Sequence, residues 1–272
     1  MSSISFGQYY PARSPLHKLD PRIKIILTVL YIVCTFICSN IISYGVLLLS
    51  AILLVAVGRV PFKIVLRGLK GVLIVLIFTS IINVFWTKGD MLLFEWQFIS
   101  IYVEGLYAAL FIIIRIAVLI VGTGMLLTYT TTPIALTNAI EDLLWPLKKI
   151  HVPVHSFAMM MTIALRFIPT LSEETERIMT AQKARGADFS SGGLIKRAKA
   201  LIPILIPLFV SAFNRAGDLA TAMECRCYHG GEGRTRMNVR HVRFVDFIPL
   251  VLIIALGAGI IMLDILAIGY TA

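Results

Sequence analysis

Residues 106–127 read LYAALFIIIRIAVLIVGTGMLL, 22 residues with one charged side chain, Arg115. At about 1.5 Å of rise per residue, a helix of this length reaches across the roughly 30 Å hydrocarbon core of a bilayer. It is apolar on every side, whereas a helix on a soluble domain keeps one polar face. The stretch places the chain in a membrane.

Similar runs lie on either side of it. Upstream are Ile23 to about Cys38, about Ile41 to Val57, and about Val72 to Trp86; downstream is about Phe244 to Ile268. The whole 272-residue chain is 58% hydrophobic and only 15% charged, with a mean hydropathy of +0.88. Soluble domains carry about 25% charge, so a soluble enzyme, a disordered chain and a disulfide scaffold are excluded. The expected fold is an all-α integral membrane protein with about five transmembrane helices. The first 20 residues are polar, contain Pro11 and Pro15, and lack the apolar core of a cleavable signal. The first span is therefore expected to stay as an anchor.

The net charge of +10 would suggest nucleic acid in a soluble protein. Its distribution points to topology instead, with no nucleic-acid partner. Arg13, Lys18, Arg22 and Lys24 precede the first span, and the Ser39-Asn40 turn is neutral. Arg59, Lys63, Arg67 and Lys70 follow the second span, and Asp90, Glu95 and Glu104 with Lys88 follow the third. Basic loops stay on the inner side. A multi-pass protein of the cell membrane is expected, N-terminus cytoplasmic and C-terminus extracellular. Trp86, Trp96 and Tyr102 fit an outer aromatic belt.

Residues 128–243 hold 15 of the 25 basic residues and nine acids, yet they are patterned as helices. Thr132-Pro133 reads as an N-cap with Pro at the first helical position, opening a helix to about Lys149. Pro153 opens a second helix to about Arg185, and Ser190-Ser191 a third to about Tyr228, which Pro203 and Pro207 should kink. The apolar parts, Ser156 to Ile168 and Leu201 to Phe213, are too short and interrupted to span comfortably. They are expected along the cytoplasmic interface with their apolar faces against the membrane domain or a partner. The domains are thus 1–127 (four spans), 128–243 (cytoplasmic helices) and 244–272 (the last span).

The second and third helices end alike. Thr180 to Arg185 and Thr221 to Arg226 both read T-A-x-x-x-R. Ala184 and Gly186 flank the first arginine, Cys225 and Cys227 the second. A cation in a last helical turn ordinarily satisfies orphan carbonyls. Two such ends, each an Arg between small residues, also suit docking into a partner's acidic groove, because guanidinium pairs bidentately with carboxylate. Met159, Met160 and Met161 are core packing, or an adaptable surface for several partners.

Catalytic signatures are missing. No G-x-x-x-x-G-K-[ST], H-E-x-x-H or G-x-S-x-G occurs, so no enzyme, ATPase motif or cofactor site is expected. Cys34 and Cys38 read as packing or lipid-facing residues. Cys225, Cys227, His229 and His241 are too irregularly spaced for a metal site. Arg115 is either functional or satisfied by a carbonyl or a tyrosine such as Tyr31 or Tyr107. Glu173 pairs with Arg177 at helical spacing, which argues against a membrane-bound enzyme. A self-contained channel or secondary transporter would need more polar span residues than Arg115.

Three segments carry a resemblance: Gly7-Gln8-Tyr9-Tyr10 through Ser14-Pro15-Leu16-His17-Lys18-Leu19-Asp20-Pro21-Arg22; Leu165-Arg166-Phe167-Ile168-Pro169 through Ala184-Arg185-Gly186; and Ala216 through Cys225-Arg226-Cys227-Tyr228. Together they resemble the transmembrane T component of energy-coupling factor (ECF) transporters over nearly the full chain. Arg185 falls on the first Ala-Arg-Gly signature. Arg226 falls on the second, where Cys225 and Cys227 replace the usual small residues. The resemblance implies an L-like arrangement of a membrane bundle and long cytoplasmic coupling helices. It implies two ABC-type ATPase partners that bind ATP and Mg, and a substrate-binding membrane S component for vitamin or trace-metal uptake. Residues 184–186 and 225–227 would dock the ATPases. Met159 to Met161, Pro203 and Pro207 would face the S component, with the proline-bearing helix as the bistable element.

Overall fold

The computed structural model describes residues 9–87, 92–96, 99–189, 193–230 and 243–266. The helices are α1 (Pro15–Lys18), α2 (Pro21–Ile37), α3 (Ile41–Gly58), α4 (Phe62–Lys70) and α5 (Leu73–Trp86), then a hairpin of β1 (Leu92–Trp96) and β2 (Ile99–Tyr102). There follow α6 (Val103–Thr123), continued by a π turn over Gly124–Thr128, then α7 (Pro133–Leu143), α8 (Val154–Ala184), α9 (Leu194–Cys225) and α10 (Ile248–Ile265). The described residues are all-α apart from the antiparallel hairpin, which pairs Trp96 with Ile99 in the loop read as acidic. Lys88 and Asp90 of that loop, Gly7, Gln8, Ser190, Ser191, His241 and the end of the last span at Ile268 lie outside the described residues.

The chain divides into two compact units, residues 1–136 with 240–272, and residues 137–239. In the first, α2, α3, α6 and α10 pack around Tyr31, Cys34, Cys38, Tyr44, Leu47, Phe111, Val118 and Ile260. Both cysteines are buried, so they pack rather than face lipid. Close approach replaces the hydrophobic effect as the cohesive force between helices in lipid. Gly122 of α6 shows this: a Cβ there would stand inside the Tyr31 ring. Around that core, Phe36, Leu49, Leu53, Ile74, Trp86 and Val251 are exposed, as lipid-facing side chains should be.

The N-terminal signature turns out to be capping apparatus. Asp20 accepts the Arg22 N–H at 2.9 Å, and Pro21 opens α2. His17 Nδ1 meets Ser14 Oγ at 2.7 Å, and its Nε2 lies 2.9 Å from the Tyr10 carbonyl. Lys24 is 1% exposed, and its ammonium donates to Thr130 O at 2.9 Å and to the Thr130 and Thr131 hydroxyls at 3.2 Å. Three acceptors for three donors make that burial tolerable.

Among the described residues, five helices are long and apolar enough to cross a membrane: α3, α6 with its π turn, α8, α9, and α10 with its preceding turn. The bent pair α4–α5 is a sixth candidate. The number matches the expectation, but the membership differs. The 17-residue α2 spans only about 25 Å, and the 14-residue α5 is shorter still. Conversely, α8 and α9 run unbroken for 31 and 32 residues through Pro169, Pro203 and Pro207. The prolines interrupt neither helix, so length does not keep either out of the bilayer. Pro203 and Pro207, four apart, remove hydrogen bonds along a single strip, and both are exposed. By contrast α7 stops at Leu143, short of the expected Lys149, and a tighter turn covers Trp145–Ile150. Pro146 disfavours the α conformation in the residue before it.

Candidate functional site

The second unit is organised by α8 and α9, which pack against each other. An ion pair joins them: Arg215 Nη2 donates to Glu174 Oε2 at 2.6 Å, and Arg215 Nε approaches Ser211 Oγ at 3.4 Å. Glu174 therefore pairs across helices, where the sequence pattern drew attention to Glu173 and Arg177. The two partners are 41 residues apart, the same offset that superposes Thr180–Arg185 on Thr221–Arg226. Each stands eleven residues, or about 16 Å of helix, before its arginine.

Beyond the pair, the two helices terminate in the same hydrogen-bond pattern. In α8, the Ala187 N–H reaches back to Gln182 O at 3.0 Å and the Gly186 N–H to Lys183 O at 3.0 Å. In α9, Tyr228 N–H reaches Met223 O at 3.0 Å and Cys227 N–H reaches Glu224 O at 2.8 Å. These are paired Schellman caps, with Arg185 and Arg226 each at the C-cap. The residue after the cap must be left-handed, and Gly186 and Cys227 have φ of +87° and +56°. The requirement at 186 and 227 is thus one of backbone conformation as well as size, and sequence reasoning identified only size. Because the caps are closed by backbone N–H groups, neither guanidinium is needed for them. Arg185 and Arg226 are both exposed, and among the described residues neither guanidinium has a hydrogen-bond or ion-pair partner. Ala184 and Cys225 are exposed beside them.

An apolar stripe runs along α9: Ile202, Leu205, Ile206, Phe209, Val210 and Phe213 are all exposed, at the three-and-four spacing of one helix face. Pro203 and Pro207 lie beside it. On α8, Met160 and Met161 are exposed and Met159 half-buried. Met161 also lines a small apolar pocket with Ile140, Leu144, Val154 and Phe157, beside a 3.0 Å contact of His155 Nδ1 with Glu141.

A model of the family described as cobalt transport protein, CbiQ, matches residues 12–237. The chain belongs to this family. It is 55% identical over 248 residues to the energy-coupling factor transporter transmembrane protein EcfT of Ruminiclostridium cellulolyticum, covering 91% of each chain. The EcfT of Thermosediminibacter oceani is 47% identical over 262 residues, 96% of this chain and 98% of that one. The EcfT of Bacillus subtilis is 48% identical over 236 residues, 87% and 89%. This CbiQ-family chain is an energy-coupling transmembrane component of ECF transporters, a multi-pass membrane protein of a multi-subunit complex.

The intramembrane charge of this CbiQ-family protein has a structural place. Arg115 Nη2 donates to the Cys38 carbonyl at 3.0 Å and to the Tyr44 hydroxyl, rather than to Tyr31 or Tyr107. Its guanidinium lies 5.4 Å from the Tyr44 ring centre. On the same turn, Asp264 of α10 accepts from Ser39 N–H at 3.2 Å and Ser43 Oγ at 2.7 Å. A cation thus meets the orphan carbonyl ending α2, and an anion meets the Ser39 N–H just ahead of α3 and the Ser43 hydroxyl in its first turn. Asp264 is the residue that sequence reasoning missed. An acid in an apolar span was its only local signal.

Proposed function

We propose that the chain is a non-catalytic coupling scaffold of a vitamin or trace-metal importer, driven by two partner ATPases that bind ATP and Mg. Arg185 and Arg226, with Ala184, Gly186, Cys225 and Cys227 around them, dock into carboxylate-bearing grooves, one on each ATPase. The observation that carries this reading is the pair of matching caps. Two helix ends of one design, each on an equal arm beyond Glu174–Arg215, leave a guanidinium without a partner among the described residues. ATP-driven closure of the ATPases draws the two ends together. The exposed stripe of α9 and Met159 to Met161 pass that movement to a membrane S component, which carries the substrate. Pro203 and Pro207 supply the compliant segment, and undiminished uptake after replacing both by Ala would remove them from this path. The α8–α9 pair belongs on the cytoplasmic side, with the N-terminus, and the C-terminus belongs outside.

The test is co-purification of the ATPases with the wild type, Arg185→Glu, Arg226→Glu and the double variant. Each reversal places like charges together and should weaken association by about 2–5 kcal/mol. Full ATPase binding and full ATP-driven uptake by the double variant would overturn the proposal.

A further inference from the structure

Helix α4 has three distinct sides. Ile64, Val65 and Gly68 form the packed side: Val65 is 4% exposed and clusters with Val60, Met125 and Tyr129. The Tyr129 hydroxyl stands so near Gly68 that a Cβ would meet it at 2.6 Å. Lys63, Arg67 and Lys70 form a second side. At about 100° per residue they fall within roughly 60° of arc, and all three are exposed. Between these sides, Phe62 and Leu66 are exposed by 64% and 47%. An apolar edge therefore runs directly beside a cationic one. Arg59, the left-handed cap of α3, adds another exposed cation just upstream. No acid occurs anywhere between Asp20 and Asp90.

The helix after it sets the setting. α5 carries no charge over its 14 residues and is bent from α4 by 58°. When α5 enters the bilayer, α4 is swung away from that direction and towards the membrane surface. A helix lying there puts apolar side chains among acyl chains and cations among headgroups. We propose that α4 is a binding site for an anionic phospholipid. Lys63, Arg67 and Lys70 hold the headgroup phosphate, while Phe62 and Leu66 lie along the acyl chains. The site is independent of the docking role given to Arg185 and Arg226, and its test leaves both untouched.

The full-length chain is purified in a neutral detergent containing equal amounts of phosphatidylglycerol and phosphatidylcholine. Retained lipids are counted by native mass spectrometry. The wild type should retain phosphatidylglycerol over phosphatidylcholine, and Lys63→Gln/Arg67→Gln/Lys70→Gln should lower that ratio at least about fivefold. The single Arg67→Gln variant should be intermediate, keeping the comparison available if the triple variant folds poorly. Phe62→Ser/Leu66→Ser should reduce retention of both lipids. An unchanged ratio in the triple variant would overturn the site. So would an equal fall in a variant that loses Arg13, Lys18 and Lys149 to Gln, since that outcome marks diffuse attraction. Displacement of the lipid by millimolar inorganic phosphate would likewise overturn it in favour of a free-anion site.

Discussion

Glu174 and Arg215 are bonded at 2.6 Å and occupy equivalent positions in two helices that end in the same way. The side chains are 29% and 37% exposed, so water screens the pair, and its strength is modest. Its position matters more than its energy. It joins α8 to α9 eleven residues before each terminal arginine.

The pair should therefore be worth about 0.5–1 kcal/mol in a double-mutant cycle of Glu174→Gln and Arg215→Gln. The exchange Glu174→Arg/Arg215→Glu should recover most of the loss. Thermal unfolding in detergent measures the first effect, and ATP-driven uptake shows whether the contact matters for coupling. Additive single variants with normal uptake would deny the contact any role.

The two caps should respond oppositely to substitution. Gly186→Ala places a Cβ at φ +87° and should destabilise the end of α8 by about 1 kcal/mol. Cys227→Gly relieves a left-handed non-glycine residue at φ +56° and should stabilise the end of α9 by a similar amount. Amide hydrogen exchange over 182–187 and 223–228 reads each end separately. Slower exchange after Gly186→Ala, or faster exchange after Cys227→Gly, would contradict the cap assignment.

Arg115 and Asp264 should behave as structural charges. Arg115→Leu leaves the Cys38 carbonyl without this donor. Asp264→Leu leaves the Ser39 N–H and the Ser43 hydroxyl without this acceptor. Each should lower stability by about 1–3 kcal/mol. Asp264→Asn keeps an acceptor and should cost less than Asp264→Leu. Thermal midpoints give the order, and uptake per folded molecule should stay constant. A variant with wild-type stability but no uptake would instead assign these charges to transport.

The membrane class, the spans at α3, α6 and α10 and the two arginines that end α8 and α9 were legible in the sequence. So was the opening of α7, where the Ala135 N–H lies 3.3 Å from the Thr132 hydroxyl. Hydropathy, charge and capping are properties of adjacent residues, and each can be read in a window of a few turns. The two long helices to about Arg185 and Tyr228 were legible too, but not that Pro169, Pro203 and Pro207 leave α8 and α9 long and apolar enough to be span candidates. A proline is a local breaker, yet α8 and α9 each run on through theirs.

What the amino-acid order determined, then, was that this is a membrane protein, which stretches are helical, and where two cations end two rods. What only the tertiary structure decided was who meets whom: Arg215 with Glu174, Arg115 with the end of α2, Asp264 with the start of α3, Tyr31 with Gly122. Those partners lie tens to hundreds of residues apart, so no local pattern encodes them. They are set by which helix faces approach closely enough for a side chain to satisfy a distant polar group.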